Sequence, residues 1–178
     1  MRKVNLACFP VQYQEKYYKD VSESNGDGLC KFAYWNGFVV GAACARIEPI
    51  NGHGGLGDSI ESNIGEKESK TTNSNGNIEK DDDRKRIYIM TLGVLAAYRG
   101  RTIGAQLIQS ILDYFEDHKD SNPELKDVIE IALHVQISND DAMKFYMEKF
   151  GFEKGEMVEN YYRRIDPPHC YKLYKKLR

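Results

Sequence analysis

A chain of 178 residues, 41% of them hydrophobic and 29% charged, carries enough apolar material for one real core and is expected to fold as a single domain over 1–178. A formal net charge of -2 and a pI near 6.1 argue against a nucleic-acid binder built on bulk electrostatics, which needs a basic face. The longest apolar run, Phe38 to Ala45, is too short to span a bilayer and no signal peptide begins at Met1, so neither a nucleic acid nor a membrane is expected as a partner.

In chain order, Leu29 to Tyr34 and Phe38 to Ile47 read as strands. Asn36-Gly37 between Trp35 and Phe38 is a type I′ hairpin signal, so the two should pair antiparallel. From 51 to 83 the composition turns to Gly, Asn, Ser and charge, with only scattered Leu56, Ile60, Ile64 and Ile78, and reads as a disordered surface insertion. Next come a strand from Ile87 to Leu92 and a helix from Ile103 to His118, in which Ile103, Leu107, Ile108, Ile111, Leu112 and Phe115 recur at helical spacing. A polar connector ends near Pro123, and Val128 to Val135 reads as a buried strand. Ser138-Asn139 and Gly151 mark the start and stop of a short helix holding Ala142, Phe145, Tyr146, Lys149 and Phe150. Two closing strands follow from Phe152, the last around Tyr171 to Leu177. Cys8, Cys30, Cys44 and Cys170 show no paired short spacing, so no metal site or disulfide framework is expected and a reducing cytosol or nucleus fits.

The junction between the Ile87 strand and the Ile103 helix carries the chemistry. Free backbone N–H groups of the turn and the positive end of the helix dipole point at one place, where an anion belongs. Arg99 and Arg101 add two fixed charges, which suits a ligand with several phosphates. An ordinary basic loop is the alternative on these residues alone.

Arg99-Gly100-Arg101-Thr102-Ile103-Gly104 resembles the acetyl-CoA motif of the Gcn5-related N-acetyltransferases, the GNAT superfamily: Gln or Arg, any two residues, Gly, any residue, then Gly or Ala. Thr102 stands where the family has its first glycine. Either the turn is strained there, because it needs positive φ or close backbone approach, or it has shifted onto Gly100 and Thr102 caps the helix. Four further strings look like the N-terminal protein acetyltransferases of the NatE catalytic-subunit kind: Phe9-Pro10-Val11, Tyr88 to Gly93, Leu133 to Asn139 with Phe145-Tyr146 beyond, and Asn160 to Ile165. The likeness runs from about Cys8 to Tyr174, interrupted only by the insertion.

This resemblance implies an α/β GNAT fold, a mixed central sheet splayed at the acetyl-CoA site with flanking helices. Family members open with a strand and a complete first helix. Only Arg2 to Cys8 precedes Phe9-Pro10 here, so the first strand is expected to be missing. The implied reaction moves acetyl from the cosubstrate acetyl-CoA to the α-amine of Met-initiated polypeptides with a hydrophobic second residue, and secondarily to protein lysines. An α-amine of pKa ~8 is neutral at pH 7 several hundred times more often than a lysine of pKa ~10.4, on the order of the difference in those values.

By its residues alone His134 reads as a hydrogen-bonded core histidine; the resemblance makes it the general base, acting with Tyr88 through an ordered water. Tyr146 matches a tyrosine near the CoA sulfur, with packing beside Phe145 as the alternative. Leu92 and Val94 are the expected oxyanion donors, freed by Gly93. Arg99, Gly100, Arg101, Thr102, Ile103, Gly104 and Ala105 are the implied acetyl-CoA turn, and Asn139 is either a CoA contact or simply the N-cap of its helix. Phe9, Pro10, Val11, Tyr13, Met90, Tyr161, Tyr162 and Ile165 are the implied peptide-binding walls. Protein N-termini and a ribosome-associated NatA-type auxiliary subunit are the implied partners, in the cytoplasm and nucleus. Two alternatives remain open: a Golgi-type N-terminal acetyltransferase, which would carry a C-terminal membrane-binding extension beyond the position of Arg178, and a non-catalytic CoA-binding subunit.

Overall fold

A computed structural model of the chain describes residues 2–9, 13–23, 28–50, 83–162 and 165–178. The insertion expected at 51–83 thus lies outside the described residues apart from Asp83, and so do Pro10 and Val11. Strands β1 (Cys30–Trp35) and β2 (Phe38–Pro49) form the hairpin that Asn36-Gly37 predicts, with Trp35 opposite Phe38. Asn36 and Gly37 have φ of 47° and 82°, positive at both central positions as a type I′ turn requires.

Strand β3 (Lys85–Val94) runs antiparallel to β2 and extends beyond the expected Ile87–Leu92 at both ends. The extra residues Lys85 and Arg86 are charged, which is why hydrophobicity alone stops short of them. Ile89 lies opposite Ala45 and Thr91 opposite Cys44, so Met90 is an extra residue in β3, a bulge. The bulge turns Met90 and Thr91 to one face: Met90 packs with Tyr13, Tyr17 and Val21, and the Thr91 hydroxyl shares a 3.0 Å hydrogen bond with that of Tyr17.

Helix α3 has the predicted bounds, Ile103–His118, and its Ile103, Leu107, Ile108, Ile111 and Phe115 are at most 8% exposed. They pack on Ile87, Ile89, Ile131, Leu133 and Leu173 of the sheet, each burial contributing roughly 1.5–3 kcal/mol. Strand β4 (Val128–Gln136) is followed by α4 (Asp140–Phe150), then β5 (Glu153–Val158) and β6 (Cys170–Lys176). The order across the sheet is β1-β2-β3-β4-β6-β5, parallel only between β3 and β4. This is the mixed α/β arrangement that the resemblance implies.

On the face opposite α3 lie two helices that hydrophobic periodicity did not mark, α1 (Arg2–Cys8) and α2 (Glu15–Glu23). The stretch ahead of Phe9 is therefore helical, and β1 is the first strand among the described residues. Helix α1 ends against Gly93: a Cβ there would lie 3.0 Å from Cys8 Cβ, 3.2 Å from Cys8 Sγ and 3.3 Å from Phe9 Cε2. Glycine lets the helix close on β3. Gly93→Ala is expected to lower stability by about 1–3 kcal/mol, the usual range for overpacking. Urea unfolding checks this, and an unchanged midpoint would mean that α1 does not press on the strand.

Candidate active site

Parallel pairing between β3 and β4 stops at Tyr88 and Ala132. Beyond that point β3 continues along β2 to Val94 and β4 along β6 to Gln136, so the two strands part. Which backbone groups face the gap follows from alternation along each strand. The Leu95 N–H donates to Val40 O on β2 at 2.9 Å, so the N–H groups of Leu92 and Val94 turn toward the gap. The carbonyl of Val94 turns the same way and accepts from Arg99 Nε at 3.1 Å. On the other side the Ile137 N–H donates to His169 O at 3.1 Å, so the backbone groups of His134 and Gln136 face the gap.

Tyr88 and His134 sit where the strands separate. The Tyr88 hydroxyl is 2.9 Å from His134 Nδ1 and 3.1 Å from the Tyr161 hydroxyl. The imidazole stacks on the Tyr161 ring, centroids 4.6 Å apart at 25°. Tyr88 and His134 thus touch directly. Burial, then the neighbouring Tyr161, holds the Tyr88 phenol well above its ordinary range. Burial also pushes His134 down to about 4, assisted by the Arg86 guanidinium and the Lys172 ammonium. At neutral pH the imidazole is uncharged, and in the tautomer with its proton on Nε2 the Nδ1 lone pair accepts the Tyr88 O–H.

Tyr146 is buried, edge-on to Phe145 and Phe152 at 5.0 and 5.3 Å, and burial pushes its phenol upward. Its ring contacts are those of a packing residue. Asn139 caps α4, its side chain accepting from the Ala142 N–H at 3.1 Å, so the cap is its observed job. Phe9, Tyr13 and Met90 gather in one aromatic cluster, with Phe9 edge-on to Tyr13 at 6.0 Å. Tyr161 and Tyr162 meet edge-on at 4.9 Å, and Tyr13 lies close enough to both to act on them electrostatically. Ile165 is half-buried and is not among the described residues packed on either hydrophobic cluster. Ile103 and Ala105 face the core, while Gly104 meets Phe145 and Val94 at ordinary van der Waals distance. Pattern reasoning missed a set of charged residues beneath the site, Arg46, Glu48, Arg86, Glu130 and Lys172, because only the strand register brings them together.

The Acetyltransferase (GNAT) family matches this chain over residues 1–152. The chain belongs to the GNAT acetyltransferase family. It is 37% identical to N-alpha-acetyltransferase 50 of Danio rerio over 178 residues, 100% of this chain and 82% of that protein. It is 36% identical to the probable N-acetyltransferase san of Drosophila melanogaster, over 100% of this chain and 74% of that one. The solved structure of Arabidopsis thaliana Naa50 in complex with the bisubstrate analogue CoA-Ac-MVNAL has a TM-score of 0.67 and 36% identity, covering 98% of this chain and 88% of that chain. Likeness of this extent makes the chain an N-terminal protein acetyltransferase that uses acetyl-CoA.

The turn that departs from the GNAT motif is strained. Thr102 has φ 63° and ψ 0°, and no side-chain cap bond: its hydroxyl donates to Arg101 O at 2.6 Å. Gly100 is left-handed as well, with φ 74°, so the turn uses two such residues, and Thr102 stands at the N-cap of α3 without a side-chain cap bond. A β-branched residue held in that region costs about 1–3 kcal/mol. Thr102→Gly removes the strain, set against glycine's greater unfolded-state entropy, and by allowing closer backbone approach to a phosphate is expected to tighten acetyl-CoA binding by up to about tenfold. Isothermal titration measures it, and an equal or weaker Kd would show that the turn adapts without strain.

A second expectation concerns acid. Since the folded value of His134 lies below its ordinary 6.5, at about 4, the stability it contributes is complete above pH 6.5 and drains away as pH falls toward 4. The loss amounts to about 3 kcal/mol at most. Unfolding free energies of the parent and of His134→Gln across that window should converge at low pH; parallel curves would contradict the lowered value.

Proposed function

We propose that this acetyltransferase acts on the α-amine of Met-initiated polypeptides with a hydrophobic second residue. The observation that carries the reading is the hydrogen-bonded set Tyr88, His134 and Tyr161 at the parting of β3 and β4, beside the apolar wall of Phe9, Tyr13 and Met90. An amine entering along that wall reaches the hydroxyl and imidazole together. The N–H groups of Leu92 and Val94 face the gap and suit the oxyanion that forms when the amine attacks the thioester carbonyl. The amine proton passes through Tyr88 and His134 to solvent, the new C–N bond forms, the C–S bond breaks, and the CoA thiolate leaves. Tyr146 is the group proposed to solvate or protonate that thiolate.

A proton parked on an imidazole whose value is about 4 is unfavourable at pH 7 by about 4 kcal/mol, so His134 relays protons and does not store them. Arg99 and Arg101, with the amides of the strained turn, are proposed to hold the pyrophosphate of acetyl-CoA. The resemblance further supports a NatA-type auxiliary subunit at the ribosome as partner and a place in the cytoplasm and nucleus. The same apolar wall desolvates an amine, which would also admit a protein lysine.

Steady-state transfer from acetyl-CoA to a Met-Leu-initiated peptide, compared with a Ser-initiated one, tests the reading: the first should be preferred. His134→Ala and Tyr88→Phe are each expected to lower kcat by about 10² with little change in acetyl-CoA affinity. Parent kcat in either variant would remove that residue from the proton path. Equal transfer to the two peptides, or preference for the Ser-initiated one, would overturn the Met-initiated reading.

A further inference from the structure

The sheet face that carries Tyr88 and His134 also carries a file of charges. Arg86 on β3 is 4% exposed, Glu48 on β2 8% and Glu130 on β4 7%. Arg86 Nε and Nη2 both lie 2.7 Å from Glu48 Oε1, and its Nη1 is 3.9 Å from Glu130 Oε1. Lys172 Nζ on β6 reaches the same Glu130 oxygen at 2.8 Å, and Arg46 Nε and Nη2 reach Glu48 Oε2 at 3.0 and 2.9 Å. Four adjacent strands are crossed without a break.

Buried ion pairs rarely exceed a well-packed apolar set of equal volume in stability, so strand cohesion alone does not account for this file. What distinguishes it is its neighbours. Lys172 stands directly opposite His134 in the β4–β6 register. The Arg86 and Arg46 guanidinium carbons lie 5.8 and 5.9 Å from the centre of the Tyr88 ring. Among the described residues three cations meet two carboxylates beside the imidazole.

We infer that this file is a positioning element of the proton path: Arg86 and Lys172 keep the His134 imidazole an acceptor for the Tyr88 hydroxyl, and Glu130 moderates how strongly they do so. The inference rests on the roles proposed above for Tyr88 and His134. An imidazolium would donate from Nδ1, turn the Tyr88 O–H away and repel an incoming ammonium. Among the described residues the imidazole meets the Tyr88 hydroxyl and the Tyr161 ring, stands opposite Lys172 in the register, and feels the charges of Arg86 and Lys172. Glu48 and Glu130 pair with those two cations, Arg46 pairs with Glu48, and Tyr13 and Tyr162 act on Tyr161 or meet its ring. Apart from the two carboxylates none is an anion in its ordinary state, and burial together with Arg86 and Lys172 lowers the imidazole.

Histidine-ring NMR titration tests the file directly, on the full chain carrying Lys172→Met, Glu130→Gln, both together, or Lys172→Arg, with kcat against pH recorded in parallel. Lys172→Met is expected to raise the His134 midpoint by about one unit. Glu130→Gln should leave the ring neutral to the lowest pH at which the fold survives, the double variant should lie between, and Lys172→Arg should titrate like the parent. A merely structural file would lower thermal stability in the variants without opposed shifts, and shifts of one sign or none would overturn the inference. If the midpoints move as expected while kcat fails to follow them, the proton path through Tyr88 and His134 is what falls, not the action of the file on the imidazole.

Discussion

Two parallel strands that share hydrogen bonds at one end and separate at the other leave polar backbone on both inner edges, and buried polar backbone without partners is destabilising. The architecture is arranged around keeping that separation open. Strand β2 binds the outer edge of β3 all the way to Val94, and β6 binds the outer edge of β4 through Gln136, so neither strand can swing across to close the gap. Helices α3 and α4 wedge against one face, while α1 and α2 lie against the other. The inward-facing backbone groups of Leu92, Val94, His134 and Gln136 are left to partners other than the neighbouring strand.

The same separation fixes the chemistry at its apex. Tyr88 and His134 lie at the last paired position of β3 and just past that of β4, close enough for a 2.9 Å hydrogen bond before the strands diverge. One residue earlier the pair would be sealed inside the sheet, and several residues later it would be too far apart to touch. Charge reaches the pair from the closed end, through side chains that the paired region holds in register.

Local patterns made much of this legible. Asn36-Gly37 announces the hairpin, the spacing from Ile103 to Phe115 gives α3 its full extent, and Asn139 and Gly151 bracket α4 because cap chemistry is local. The strings around Tyr88, His134 and Tyr161 point to residues that the fold brings within hydrogen-bonding or stacking distance. What was not legible depends on pairings far apart in the chain. Glu48, Arg86, Glu130 and Lys172 look like solvated charges at strand ends until the register stacks them, and the Met90 bulge exists only relative to β2. Helix α2, Glu15–Glu23, hides because its buried face is built of tyrosines, which carry no clean apolar stripe. Thr102 could be flagged as a departure, but choosing between strain and capping needed its φ.

Strand β6 lies between β4 and β5, although it follows both in sequence. During synthesis β5 therefore emerges with no neighbour to join, and β4 waits with its outer edge bare until Cys170–Lys176 has left the exit tunnel and inserted. Exposed edges of this kind invite pairing with other chains. Lys172, which reaches the charges below the imidazole, arrives on that strand as well. The covering of β4's outer edge and the setting of its histidine are thus one event, and a nascent chain halted before residue 170 would hold a histidine but not its setting.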